Sequence, residues 1–513
     1  MVRLAIRTAS QVIPTKIPND DSSFPVIKHQ CLSLLKLCSS INQLSQIHAR
    51  LHVFGLHKDS FLLTELVRFC ALSPSRHFNY ARTLLSRSEN SRPPSWNFLI
   101  RGYASSDFPR EAIRVFREMR VRGVRPTKLT YPFLFKACAA ITALKEGRQA
   151  QVDTFKLGLD GDVYVNNTLV HFYGSCKKIS DARKMFDGMP VRTVVSWNSI
   201  IAACVENLWF SDGIEYFVKM RNSGFEPDET TVVVLLSACA ELGNLSLGRC
   251  VHSQAIGRGL VLNCQLGTSL VDMYAKSGAL LYAKLLFDRL QERNVWTWSA
   301  MILGLAQHGF ANEALDLFAK MMNSSISPNY VTFLGVLSAC SHSGLVQDGY
   351  RYFHEMEHLH GIKPILIHYG AMVDVLGRAG RLSEAYTFIK NMPIEPDPIV
   401  WRTLLSACST HGVNDDEGVG DKVRKRLLEL EPRRSGNLVI VANMYAEVGM
   451  WKEAADVRRV MRVGRMKKSA GESCIELGGL IRRFVSGYDS EAYYTSIYQL
   501  LDVLNLHMKM VNL

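Results

Sequence analysis

The sequence predicts an all-α fold, a right-handed superhelical solenoid of helix-turn-helix repeats. Three observations carry that expectation. The segments "PPSWNFLI" (93–100), "VVSWNSII" (194–201) and "VWTWSAMI" (295–302) recur at a step of 101 residues, and Cys138, Cys239 and Cys340 keep the same step. Each 101-residue block divides into units of 35, 35 and 31 residues, close to the roughly 34 residues of a two-helix repeat. Within a unit the apolar residues follow helical spacing, and no window alternates convincingly as a strand would.

The chain starts with "MVRLAIRTASQVIPTKIP", which contains Arg3, Arg7 and Lys16 and no acid before Asp20. An Arg-containing, Ser/Thr-bearing, acid-poor start has the composition of an organelle transit peptide, so residues 1–27 are read as such a peptide or a disordered leader. Two degenerate units, 28–59 and 60–92, come next. Regular units then occupy 93–127, 128–162, 163–193, 194–228, 229–263, 264–294 and 295–329, followed by 330–365 and 366–397.

The unit 194–228 shows why each is a helical hairpin. Trp197, Ile200, Ile201 and Cys204 form an apolar stripe at i, i+3, i+4 and i+7. Asn207 and Trp209 interrupt it, and Ser211 or Asp212 is expected to cap a second helix carrying Ile214, Phe217 and Met220. Gly224 and Pro227 then end that helix. A single hairpin cannot bury its apolar face alone, whereas a stack of them can, and the stack presents a long concave wall.

Composition narrows the function. Sixty Lys+Arg against 47 Asp+Glu give a net charge of +13, a diffuse excess that favours an anionic partner. The twelve cysteines include no C-x-x-C pair. Several share one apolar helical slot, as packed thiols in a reducing compartment do, and this argues against a disulfide framework. No apolar run approaches the roughly 20 residues of a membrane-spanning helix.

"SWNSII…GFEPD", "LLSACAELGNLSLGRCVHS", "SLVDMYAKSGALLYAKLLFDRL" and "MVDVLGRAGRLSEAYTFIKNMPIEPD" closely resemble the plant pentatricopeptide repeat (PPR) proteins, in the subgroup that cycles P, L and S repeats. The resemblance covers nearly everything after residue 28. It implies an array of about 11 repeats over 28–397 and paired E motifs over 398–468. The tail 469–513 resembles an E+ extension with "GESCIELGG" in place of the family's Gly-Cys-Ser-Trp box.

The resemblance also implies binding to single-stranded organelle RNA at about one base per repeat, in most members to specify a cytidine for conversion to uridine. The tryptophan then packs the hairpin and the polar residue after it faces the base. By resemblance, that residue and the last residue of the repeat read the base together. The pairs are Asn97 with Thr127, Asn198 with Asp228, and Ser299 with Asn329 in the P units. They are Asn167 with Thr193, and Thr268 with Asn294, in the S units. Asn with Asp implies uridine, Thr or Ser with Asn implies adenine, and Asn with Thr implies a pyrimidine. Pro132 with Asp162, Val233 with Asn263 and Gly370 with Asp397 offer little discrimination, since an apolar slot makes no hydrogen bond to a base edge. With the final S-like unit four nucleotides 5′ of the edited cytidine, the expected bases are adenine at about −6 and −7, uridine at −9, and pyrimidine at −10 and −12 by that code.

No catalytic residue, cofactor or metal site is expected. A zinc cytidine deaminase needs H-x-E and P-C-x-x-C; the chain has neither, and the family's catalytic DYW domain would follow residue 513. A deaminase-bearing PPR protein of the DYW type, or another editing cofactor, is therefore the expected partner, docking on 398–513. "HEMEH" (354–358) matches the zinc-peptidase spacing H-E-x-x-H, but Phe353 and Met356 align with Phe318 and Met321 of the preceding unit. It is therefore read as an ordinary second helix. Other roles left open are RNA stability or splicing, and a protein-binding scaffold like tetratricopeptide solenoids. The expected location is the mitochondrion, with the chloroplast as the alternative.

Overall fold

The computed structural model describes residues 24–411, 418–447, 449–466, 472–477 and 480–485. The expected leader, 1–27, lies outside them except for its last residues, which begin the helix Phe24–Leu37. The tail 469–513 is described only at the two strands given below.

The chain forms two compact units, residues 1–238 and 239–513. Among the described residues each is a run of antiparallel helical hairpins, as the repeats predict, and the second also carries one short strand pair. In the first unit the leading helices Ser60–Leu72, Pro93–Ala104, Thr130–Ala140, Val163–Ser175 and Val194–Glu206 pack each on the next. In the second, Cys264–Lys276, Val295–Gln307, Tyr330–Ser343, Leu366–Arg378 and Pro398–His411 do the same.

Glycine–alanine contacts let the leading helices approach closely. A Cβ on Gly174 would lie 2.6 Å from the Ala203 Cβ, and one on Gly304 would lie 2.5 Å from the Ala275 Cβ. The tryptophans fill the hairpin interior. Trp96, Trp197 and Trp298 are buried, and Trp197 and Trp298 meet Phe186 and Phe287 edge-on at 4.8 and 5.0 Å between ring centroids, a favourable aromatic geometry.

The turn inside the unit 194–228 differs from the sequence expectation. The second helix runs Phe210–Asn222 with Trp209 at its N-cap, so Ser211 and Asp212 lie within the helix instead of capping it. Leu208 takes the left-handed conformation (φ 65°), which lets the Trp209 N–H reach the Cys204 carbonyl at 2.9 Å. The chain thus reverses and restarts earlier than the polar residues suggest. Asp212 instead pairs with Arg183 of the preceding repeat at 3.0 Å. Arg148–Asp181 and Lys284–Glu313 repeat this contact between second helices.

Two short strands, Glu472–Leu477 and Leu480–Val485, pair antiparallel with Leu477 opposite Leu480. The sequence reading found no strand here. Six residues on each side of Gly478–Gly479 are too short for their alternation to stand out, although a glycine pair between apolar runs is a hairpin signal.

Candidate nucleic-acid interface

In most repeats the last residue serves first as a helix cap; Thr127 is an exception, since Leu129 stands at the N-cap of the helix Thr130–Ala140. Asp162, Thr193, Asn263, Asn294 and Asn329 are each the N-cap of the next leading helix, and their side chains accept a backbone N–H two or three residues on. Asp228 accepts the Thr231 N–H at 2.9 Å in the same way. Capping by Asn, Asp and Thr satisfies orphan donors of the first helical turn.

The residue after the tryptophan sits one turn into the leading helix, five positions past that helix's own cap. Asn97, Asn167, Asn198 and Ser299 all lie there and are at least nine-tenths buried. The helix axis thus carries this slot to the next repeat's cap, and three of the expected pairs are in direct contact. Asn97 Nδ2 donates to Thr127 Oγ1 at 3.2 Å, Asn198 Nδ2 donates to Asp228 Oδ1 at 2.9 Å, and Ser299 Oγ donates to Asn329 Oδ1 at 3.1 Å. The fourth pair is relayed: Thr268 Oγ1 lies 2.6 Å from Thr297 Oγ1, which lies 3.0 Å from Asn294 Oδ1. The fifth is not joined: Thr193 is engaged with Ser196, and Asn167 Oδ1 is buried without a partner. Asn329 Nδ2 is likewise buried and unpartnered. Buried amide atoms are normally satisfied, so such leftovers call for an explanation.

Among the apolar slots, Pro132 and Gly370 offer no side-chain hydrogen bond, and the paired Asp162 and Asp397 are occupied as caps. Burial pushes the Asp228 carboxyl up. The Thr231 N–H and the Asn198 and Thr231 side chains outweigh this and hold it below its ordinary value.

Two groups of residues escaped the sequence reading. Thr64, in the degenerate unit 60–92, occupies the same slot and lies 2.8 Å from Ser95 Oγ. Its own cap, Asp59, was the available signal. The second group lies two positions past the last residue of several repeats, where apolar side chains are about half exposed: Phe61, Leu129, Tyr164 and Val195 in the first unit, Trp296 and Ile367 in the second. Trp296 meets Tyr330 edge-on at 6.0 Å, with both rings exposed. An apolar residue off the buried stripe at a fixed distance from the cap could have revealed this row. Exposed flat groups beside polar pairs form a surface on which bases can stack while their edges are hydrogen-bonded.

The histidines of "HEMEH" lie on the helix Val346–His358, whose Met356 is fully buried like Met321. The His354 and His358 rings stack face to face with centroids 3.9 Å apart. Among the described residues no group of three His, Cys, Asp or Glu side chains is placed to hold a metal, and no helix is long and apolar enough to cross a membrane.

Comparison with known proteins gives a consistent result. Residues 94–140, 192–241 and 293–342 match the PPR repeat family, and 167–194, 268–295, 331–360 and 367–394 match the PPR repeat. Residues 414–476 match the E motif. A pentatricopeptide repeat-containing protein of Arabidopsis thaliana is 63% identical over 491 residues, covering 96% of this chain and 98% of that protein. A second from the same plant, named as chloroplastic/mitochondrial, is 36% identical and covers 99% and 82%. A third, named as mitochondrial, is 32% identical and covers 96% and 91%. Among solved structures, the pentatricopeptide repeat protein PPR10, in complex with an 18-nt psaJ RNA element, superposes with a TM-score of 0.60 at 15% identity. That match covers 82% of this chain and 64% of PPR10.

Proposed function

The chain belongs to the pentatricopeptide repeat family, and on that premise we propose that it binds single-stranded RNA in a plant organelle and marks a site for C-to-U editing. The array 28–397 reads the RNA. The region 398–513, which contains the E motif, recruits a DYW-type deaminase-bearing PPR protein or another editing cofactor in trans. The mitochondrion is the favoured compartment, with the chloroplast as the alternative.

The observation that carries this reading is the recurrence of polar pairs across repeat boundaries: Asn97–Thr127, Asn198–Asp228, Thr268–Asn294 and Ser299–Asn329. In three of them the slot residue bonds the last residue of its repeat directly, and in the Thr268–Asn294 pair Thr297 relays the contact. Asn167 and Thr193 hold the same places without a bond, and Asn167 Oδ1 is buried with no partner. A protein-binding groove has no need of such pairs in register. RNA supplies a reason, because unpaired bases present their Watson–Crick edges one at a time. The half-exposed apolar row flanks the pairs and offers stacking platforms, which are sequence-tolerant and leave discrimination to the pairs.

Selection of the full chain against a randomised single-stranded RNA pool, at stated salt, tests the reading. The bound RNAs should carry adenine at two neighbouring positions, from Ser299–Asn329 and Thr268–Asn294. Uridine from Asn198–Asp228 should lie further 5′, with pyrimidines beyond it. Binding that is salt-sensitive but blind to sequence would be the counterion-release effect alone and would remove the site-recognition role.

A further inference from the structure

The polar slots share a partner that the pairs alone do not explain. Three positions past the last residue of six repeats, the following repeat supplies a hydroxyl: Ser95, Thr130, Ser196, Thr231, Thr297 and Thr332. They face the slots Thr64, Asn97, Asn167, Asn198, Thr268 and Ser299 respectively. Five of the six are in hydrogen-bond contact, at 2.8, 2.7, 2.6, 2.6 and 2.7 Å, with Ser196 as the exception. Where the slot is Pro132, Val233, Leu334 or Gly370, the corresponding residue is Val165, Leu266, His368 or Val400, and no hydroxyl is present. Hydroxyl and polar slot therefore occur together across repeats of different type.

We infer that this hydroxyl, contributed by the next repeat, is a positioning residue for base discrimination, because it fixes which way the slot residue presents its donors and acceptors. The inference rests on the RNA-reading role proposed above. Thr231 shows how the device works. Its Oγ1 accepts the Asp228 backbone N–H at 3.1 Å and lies 2.6 Å from Asn198 Oδ1 and 2.9 Å from Asp228 Oδ1. A hydroxyl has one proton to give. Given to Asp228, it would leave the Asn198 carbonyl facing an oxygen at 2.6 Å with nothing between them. Given to Asn198, it holds Oδ1 inward and leaves Nδ2 directed at Asp228. Flipping the amide would set two acceptors, Asn198 Oδ1 and Asp228 Oδ1, against each other. The hydroxyl and the carboxylate thus lock a single amide orientation, and one N–H and one carbonyl lone pair stay available to a base.

The same logic holds at Asn97, whose Oδ1 accepts from Thr130 while Thr130 Oγ1 accepts the Thr127 N–H. Asn167 is the exception: Ser196 is engaged with the Thr193 N–H and hydroxyl, makes no bond to Asn167, and Asn167 Oδ1 stands without a partner.

Two variants of the full chain test the inference. Thr231→Val keeps the shape and removes the hydroxyl, and Thr231→Ser restores the hydroxyl. Each is selected against the same randomised single-stranded RNA pool as the native chain. The Asn198 column is identified as the one whose preferred base changes in Asn198→Ser. Thr231→Val should reduce base preference in that column about fivefold, the worth of one hydrogen bond, and leave the other columns as they were. Thr231→Ser should recover it. An unchanged preference, or an equal weakening of every column, makes Thr231 a helix cap only and overturns the inference. A native chain that enriches no base anywhere overturns the RNA-reading role, and the inference with it. Should Thr231→Val fail to give the native circular dichroism spectrum, Thr297→Val, read at the Thr268 column, decides the matter by the same criteria.

Discussion

Replacing Asn329 with aspartate separates the folding role of that residue from its reading role. Asn329 Oδ1 accepts from the Thr332 N–H at 2.9 Å and lies 3.1 Å from the hydroxyls of both Thr332 and Ser299, which are themselves 2.7 Å apart. Its Nδ2 is buried with no partner. A carboxylate preserves these contacts and deletes the orphan donor. An unpaired buried donor costs about 1–3 kcal/mol. A negative charge at the N-terminus of the helix Tyr330–Ser343 contributes about 0.3–1 kcal/mol, and partial burial of that charge offsets some of the gain. The melting temperature of Asn329→Asp should therefore hold or rise. At the base the consequence is opposite in kind, since a free donor becomes a charged acceptor. The adenine preference expected there should weaken by about 1–3 kcal/mol, the worth of a good base-edge contact. The assay is fluorescence anisotropy with four RNAs that differ only at that base, at one salt concentration. A large fall in melting temperature would show that the amide nitrogen supports the fold. Affinities that move together for all four RNAs would show that Asn329 reads nothing. Either result refutes the reasoning.

Four further outcomes are expected. Gly174→Val should lower stability by about 1–3 kcal/mol in thermal unfolding, because even a Cβ there sits 2.6 Å from Ala203 and overpacking strains a close helix contact. Leu208→Gly should raise stability by about 0.5 kcal/mol, since an exposed leucine held at φ 65° gives way to a residue that adopts it freely. Thiol labelling of the folded chain at neutral pH should modify exposed Cys250 and spare Cys138, Cys239 and Cys340, whose thiols burial raises to about 12; a protonated, buried thiol is a poor nucleophile. The depressed carboxyl of Asp228 contributes stability that is present above the unfolded-state value and is lost as pH falls through the folded one. Base preference at the Asn198 column, read by RNA pool selection, should thus be flat from neutral pH down to about pH 5 and fail only in acid.

The repeat length and the helical hairpins were legible because each is written into a strict period. The tryptophan stripe and the shared cysteine slot follow from counting, whereas the pairing of Asn198 with Asp228 came only from the family resemblance. Helix starts inside the hairpins were not legible, since a left-handed Leu208 closes its turn without any polar signal. The row of exposed apolar residues was missed for a related reason. Tyr164 and Trp296 are apolar by type, and only the helix phase shows them turned outward.

What sequence alone determined is therefore the architecture of the array, since a 3.6-residue stripe repeated at fixed length has few ways to bury itself. Tertiary structure decided which atoms of the slots are spent and which are free. Whether Asn329 Nδ2 or Asn167 Oδ1 has a partner depends on hydrogen bonds spanning about 30 residues, between a helix of one repeat and the cap of the next. Such distances are set by how closely Gly174 meets Ala203 and Gly304 meets Ala275, and no residue pattern states an interhelical distance.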